Sequence, residues 1–187
     1  FISGASLNYR NDYLKIGVQG VYQTYDKPLN LTIRPYNQYY FNGQSLFSLS
    51  SDYNFVYKNI NVFGEVSYSL NETKSGMAML HGALLSLDPR LSLGLLYRDY
   101  DKSYQTIYNA GFSEGSRTQN ENGLYAGLKF KINRSWSINA YTDVFEFPWM
   151  KYGVDAPSKG HEFLIQPIYK PSRDFQIYMR FIYFKNL

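Results

Sequence analysis

Seven charged side chains could do chemistry if the fold gathered them: Lys15, Asp52, Glu65, Arg98, Lys129, Asp143 and Arg180. Carboxylates such as Asp52, Glu65 and Asp143, brought into one interior, could divide the roles of acid and base. Set among Arg98, Lys129 and Arg180, they read instead as a solvated network that lines or braces that interior. The two histidines, His81 and His161, lack metal-ligand spacing, and His81 is read as an interior-lining or packing residue. Nothing in the order of residues assembles a nucleophile, a base and an orienting group, so no enzyme activity, cofactor or metal is expected. Cysteine is absent, which removes disulfides, thiolate metal sites and a thiol nucleophile. Trp149 and its aromatic neighbours read as an anchor that packs a loop onto a rim, with ligand binding at the loop surface as the second reading.

What must position these side chains is a set of alternating runs. Across 124–144, Leu124, Ala126, Leu128, Phe130 and Ile132 share one face. After Asn133-Arg134-Ser135, so do Trp136, Ile138, Ala140, Thr142 and Val144. A period of two over such lengths is an antiparallel hairpin with one apolar and one polar face. Similar runs occupy 1–10, 14–23, 45–57, 62–70, 91–98, 163–170 and 175–183. The run 77–87 is apolar on both parities, so its facing stays open. Pro167 cannot donate to a sheet ladder and predicts a bulge or weak pairing. About ten strands and no helix are expected. The matches to the glycosylation pattern at Asn30, Asn71 and Asn133 are read as chance.

Composition bounds the setting. The chain has 187 residues, a net charge of +4 and scattered Lys and Arg, so no nucleic-acid surface is expected. No run approaches the ~18 apolar residues of a membrane helix. Mean hydropathy is −0.39, a value that a membrane barrel also reaches, because interior and loop residues dilute its lipid face. Aromatic residues make up 19%, with 20 Tyr, which favours strands and interfaces.

Three patterns bear on where the apolar face points. Tight turns near 11, 59, 89, 134 and 172 alternate with longer connections at 26–44, 71–76, 101–123 and 145–160. The strand charges fall on the polar parity. Tyr9, Tyr57, Trp136, Tyr169 and Phe175 mark the short-turn ends of the apolar parity, while Tyr22, Phe47, Tyr68, Tyr97, Phe163 and Tyr183 mark the long-loop ends. Two aromatic girdles around an aliphatic band, with short turns on one side and long loops on the other, describe an outer-membrane barrel. The expected fold is therefore all-β, an antiparallel up-and-down transmembrane β-barrel, with 1–187 a single barrel domain or part of one. The alternative is a soluble up-and-down barrel holding an apolar ligand.

Both chain ends fall on the long-loop side, and the chain starts at Phe1 without a leader. The expectation is an excerpt of a barrel of twelve or more strands. The segments 85–116 and 120–173, and more broadly about residues 35 to 185, most specifically FPWMKYGVDAPS at 147–158, resemble the C-terminal barrel portion of Bacteroidetes outer-membrane proteins often labelled helix-hairpin-helix domain-containing. The resemblance implies an outer-membrane barrel and supplies no catalytic positions. Membrane lipid and lipopolysaccharide are the expected partners, with other envelope subunits left open. The expected role is a passage or a structural or assembly scaffold in the Gram-negative envelope. A cleared interior would favour transport, and a filled one a scaffold.

Overall fold

The computed structural model describes residues 1–107 and 111–186. Eleven strands form one sheet: β1 (Ile2–Arg10), β2 (Leu14–Leu29), β3 (Gly43–Tyr57), β4 (Ile60–Asn71), β5 (Ser75–Asp88), β6 (Leu91–Tyr100), β7 (Glu121–Lys131), β8 (Trp136–Phe147), β9 (Ser158–Tyr169), β10 (Ile177–Tyr178) and β11 (Phe181–Asn186). Strands β1 to β9 pair antiparallel in sequence order, and β10 and β11 both lie along β9. The only helical turn among the described residues is a 3₁₀ turn at Pro35–Asn37. The up-and-down all-β expectation holds. The sheet is not closed: β1 forms one edge, and β10 and β11 together form the other.

Short side-chain caps make the tight turns. Asn11 Oδ1 accepts from the amides of Tyr13 and Leu14, and Asn133 Oδ1 from those of Ser135 and Trp136. Asn71 does the same for Thr73 and Lys74. The Asn-x-Ser/Thr spacing at 71 and 133 is thus accounted for by Asx turns.

The elements differ from expectation where a local rule yields to pairing. β2 runs through Pro28 to Leu29, with its register on β3 shifting between Thr24 and Leu29, so the first loop is 30–42 rather than 26–44. The loop between β6 and β7 closes at Asn120, three residues early, and residues 108–110 of it lie outside those described. The loop between β8 and β9 shrinks to 148–157. The last run is interrupted. Tyr178 pairs Ile168 and pairing resumes at Phe181 with Ile165, so the break faces Pro167, which has no N–H to give.

Register resolves the facing of 77–87. Met77 lies opposite Tyr68, His81 opposite Gly64 and Tyr97, and Ala83 opposite Val62 and Leu95. The odd positions therefore join the apolar face and the even ones the polar face. Of the two readings of His81, packing is the one observed. The side chain packs on the apolar face over Gly64, stacked on Tyr53 and 3.0 Å from its hydroxyl, and lines no polar interior. His161 also takes the apolar parity, opposite Val144 and hydrogen-bonded to Thr142 at 2.8 Å.

Burial is inverted relative to a water-soluble sheet. Leu95, Leu124 and Val144 are 47%, 56% and 54% exposed within their strands, whereas Arg98, Glu121 and Asp143 are buried. The cover over the polar face comes from the 101–120 loop, which lies across the long-loop half. Tyr104 donates through its hydroxyl to Ser67 Oγ (3.0 Å), and the Gln105 amide donates to Ser69 Oγ (2.8 Å). Asn71 Nδ2 donates to Gln105 Oε1 (2.9 Å). Tyr104 and Tyr100 pack with Ala78 into a small apolar cluster beneath.

Gly76 makes this seat feasible, since a Cβ there would lie 2.2 Å from the Tyr104 backbone nitrogen. Gly76→Ala should unseat the loop while leaving the sheet intact. The readout is hydrogen exchange at the Gln105 amide, expected to speed up about tenfold or more, equivalent to roughly 1.4 kcal/mol of local opening. Unchanged exchange there would show that the loop is not held by this contact.

Candidate functional site

The polar face carries a built ionic cluster. Arg98 of β6 lies opposite Gly123 of β7, while its two carboxylate partners sit two residues away on either side of that row: Glu121 opposite Tyr100, and Asp143 of β8 opposite Tyr125. The guanidinium reaches both by lying across Gly123, where a Cβ would come within 2.5 Å of the Arg98 Cζ. Arg98 Nε donates to Glu121 Oε1 at 2.6 Å and Nη1 to Asp143 Oδ1 at 3.0 Å. The rings of Phe112 and Phe145 flank the cation at 5.3 and 6.0 Å. Glu121 then reaches upward, accepting from the amides of Glu114 (2.9 Å) and Gly115 (2.9 Å) in the covering loop. One carboxylate thus ties the sheet to its lid. Cation, anions and backbone donors satisfy each other, as buried charge requires, apart from Arg98 Nη2, which has no hydrogen-bond partner.

Of the residues singled out in the sequence, the structure brings together Arg98 and Asp143. Asp52 and Glu65 face each other directly on β3 and β4. Lys15, Lys129 and Arg180 are exposed on the uncovered short-turn half, Lys15 opposite Arg10 and Asn54. Lys129 and Arg180 line an open trough of about 620 Å³ with Tyr141 and Gln166. Arg180 sits in the break between β10 and β11 and not inside a strand. No group of three or more potential metal-ligating side chains exists among the described residues. Glu121 went unmarked because the loop was extended to Gly123. Carrying the parity of Tyr125 back two steps reaches Gly123, and two more reach Glu121.

Above the cluster, the three long loops meet. Trp149 Nε1 donates to the Pro35 carbonyl (2.9 Å), and the Trp149 backbone exchanges two hydrogen bonds with the Asn120 side chain (2.7 and 2.8 Å). Gln105 Nε2 and Lys74 Nζ donate to the carbonyls of Tyr39 and Gln38. β3 and β8 are five strand spacings apart, about 24 Å across a flat sheet at ~4.8 Å each, so the first and last of these loops meet over the polar face. Their rings pack edge to face, Tyr39 on Trp149 at 5.4 Å and Tyr36 on Tyr152 at 5.4 Å. Trp149 thus anchors its loop, but onto the other two long loops and not onto the strand ends.

At the edge of the cap, Glu72 receives the Ser45 hydroxyl (2.7 Å) and the amides of Ser45 and Gln44 (2.6 and 3.1 Å). The Ser45 hydroxyl first, and the backbone donors after it, hold the Glu72 carboxyl below its usual range. Burial pulls the Lys151 ammonium below the ordinary lysine range.

No protein-family model, curated protein or solved structure matches the chain.

Two outcomes follow. Arg98→Met should destabilise by about 3–5 kcal/mol in urea titrations, because it strands two buried carboxylates. The triple change Arg98→Met, Glu121→Gln, Asp143→Leu should recover most of that loss. A triple variant no better than the single one would mean that the charges support the fold in themselves. For Glu72, a lowered pKa means that the ionised form is favoured by folding. Its contribution is therefore present above the ordinary carboxylate range and disappears as pH falls through the lowered value. Protection of the Gln44 and Ser45 amides, measured as the exchange rate relative to the intrinsic rate at each pH, should fall on acidification, and Glu72→Gln should show no such step.

Proposed function

We propose that this chain is a segment of a Gram-negative outer-membrane β-barrel whose outer mouth is occluded, serving as a structural or assembly scaffold at the cell surface and not as an open pore. The observation that carries the reading is the inverted burial. An aliphatic face stands at Leu95, Leu124 and Val144 with no protein against it, while Arg98, Glu121 and Asp143 are buried on the other side. A contiguous apolar surface of this extent needs a nonaqueous neighbour, and strands whose carbonyls and amides pair laterally are one of the two backbone forms that can cross lipid.

Aromatic placement supports the same reading. Trp136 and Tyr169 stack as cross-strand neighbours at 4.7 Å at the short-turn end, and Tyr22 with Phe47, and Phe163 with Tyr183, are paired at the other. Phe47 and Tyr57 lie ten residues apart on β3, about 33 Å of strand and roughly 25 Å of height at a tilt near 40°. The soluble alternative needs Leu124 and Leu128 inside, and both are exposed. The free edges of β1 and β11 are paired by further strands in the assembled barrel, which the resemblance to Bacteroidetes barrel proteins accommodates. The scaffold role rests on the covering loop, which Tyr104, Gln105 and the Glu114 amide tie to the polar face by hydrogen bonds to Ser67, Ser69 and Glu121 of the strands.

The barrel should migrate heat-modifiably on gels and partition into detergent. Leu128→Arg, midway between the two girdles, should lower its stability in lipid by about 2–4 kcal/mol, and Lys129→Leu much less. In planar bilayers the intact barrel should show little conductance, and replacing 103–118 with a short Gly-Ser linker should open it. Solubility without detergent, with no lipid-dependent penalty for Leu128→Arg, would refute the membrane reading. High conductance from the intact barrel would refute occlusion.

A further inference from the structure

The cap over the mouth contains a pocket that neither the strand network nor the membrane reading uses. It encloses about 340 Å³ between the 30–42, 101–120 and 148–157 loops, within the lower range of small-ligand sites, ~300–1,000 Å³. Its walls combine three chemistries. Lys102 lies over the rings of both Tyr39 (4.9 Å) and Trp149 (4.8 Å), and Arg117 over Tyr40 (4.4 Å). Neither side chain has a carboxylate or hydrogen-bond partner among the described residues. An ammonium over a ring keeps N–H donors free for an acceptor in front of it. Glu114 also lines the pocket, with its carboxyl raised by burial first and by Asp143 next.

From this we infer that the pocket binds an acidic sugar, a polyhydroxylated ring bearing a carboxylate or phosphate. The cations take the acidic group, the Tyr39 and Trp149 rings take the C–H face of the sugar, and the Glu114 carboxyl accepts from hydroxyls. Ring geometry selects against a flat ligand. Tyr39 stands at 90° to Trp149 and Tyr36 at 79° to Tyr152, so neither pair forms the parallel slot in which a nucleobase would stack. The hydrogen bonds that fix Trp149 to Pro35 and Asn120 preorganise the wall, which lowers the ordering cost of binding. The pocket stands on loop geometry alone, so its failure and that of the membrane reading are separable.

Isothermal titration calorimetry on the full chain tests this with four probes: tetragalacturonate, a delipidated phosphorylated core oligosaccharide of lipopolysaccharide, maltotetraose and ATP. Binding of either acidic saccharide supports the site. Tetragalacturonate preferred marks a free polymer as the source of ligand, and the core oligosaccharide preferred marks the envelope itself. Affinity should fall with added salt, and by about tenfold or more in Lys102→Gln and in Arg117→Gln, with circular dichroism and heat-modifiability unchanged. Arg117→Lys should retain most of it. No binding of either acidic probe, equal binding of maltotetraose, tighter binding of ATP, or full affinity in both glutamine variants would overturn the inference.

Discussion

A sheet can bury only what another layer covers, and nothing among the described residues covers the apolar face. Layered folds solve that problem with a second sheet or a helix. Here the described residues supply neither: the loops that could have served as a second layer fold over the opposite, polar face. Hydrophobic burial within the chain is consequently confined to small clusters such as Ala78, Tyr100 and Tyr104. Order comes from the lateral ladder of backbone hydrogen bonds and from polar contacts between loop and strand. Such a design is sound only if the aliphatic band has a nonaqueous neighbour, since side chains such as Leu124 and Val144 would otherwise each forfeit the ~1.5–3 kcal/mol that burial brings.

The ionic cluster is the counterpart of that constraint on the other face. Buried charges stabilise little by themselves, because desolvation offsets most of their attraction. What Arg98 gains is position. It spans three strands, and Glu121 continues the connection into the covering loop, so the register of β6, β7 and β8 and the seating of that loop are specified together. Gly123 is the enabling residue, for any side chain there would occupy the space of the guanidinium. A similar economy appears at Gly76, where absence of a side chain admits the loop backbone itself.

The alternating runs were readable because a period of two survives wherever one face is apolar and the other polar, as in 45–57 and 124–132. In 77–87, by contrast, both parities are apolar, and only the partners Tyr68 and Tyr97 decide which side Met77 and His81 take. Pro167 was legible for a covalent reason, the missing N–H, and the last strand does break opposite it. Pro28 was not, because it falls beyond the regular pairing of β2, where the ladder tolerates it. Of the cluster, Arg98 and Asp143 were visible as charges on the polar parity, but that they meet was not. Their meeting depends on strand order and stagger, and on Glu121, which irregular flanking sequence disguised as loop. Loop conformation left the least trace: nothing local predicts that Trp149 reaches Pro35, more than a hundred positions earlier in the chain.

That long reach explains why the cap is so aromatic. Loops that meet over an opening cannot rely on a shared hydrophobic core, and their backbones must find hydrogen-bond partners in the presence of water. Tyr and Trp meet both needs, offering large faces at little entropic cost and a polar atom at the tip. The Trp149 indole uses both, with its face under Lys102 and its N–H on the Pro35 carbonyl. Lys and Arg on the same rings bring loops together without acidic partners among the described residues. The contacts that join the loops over the polar face thereby also build a charged, ring-walled surface, and the two properties follow from a single arrangement of the loops.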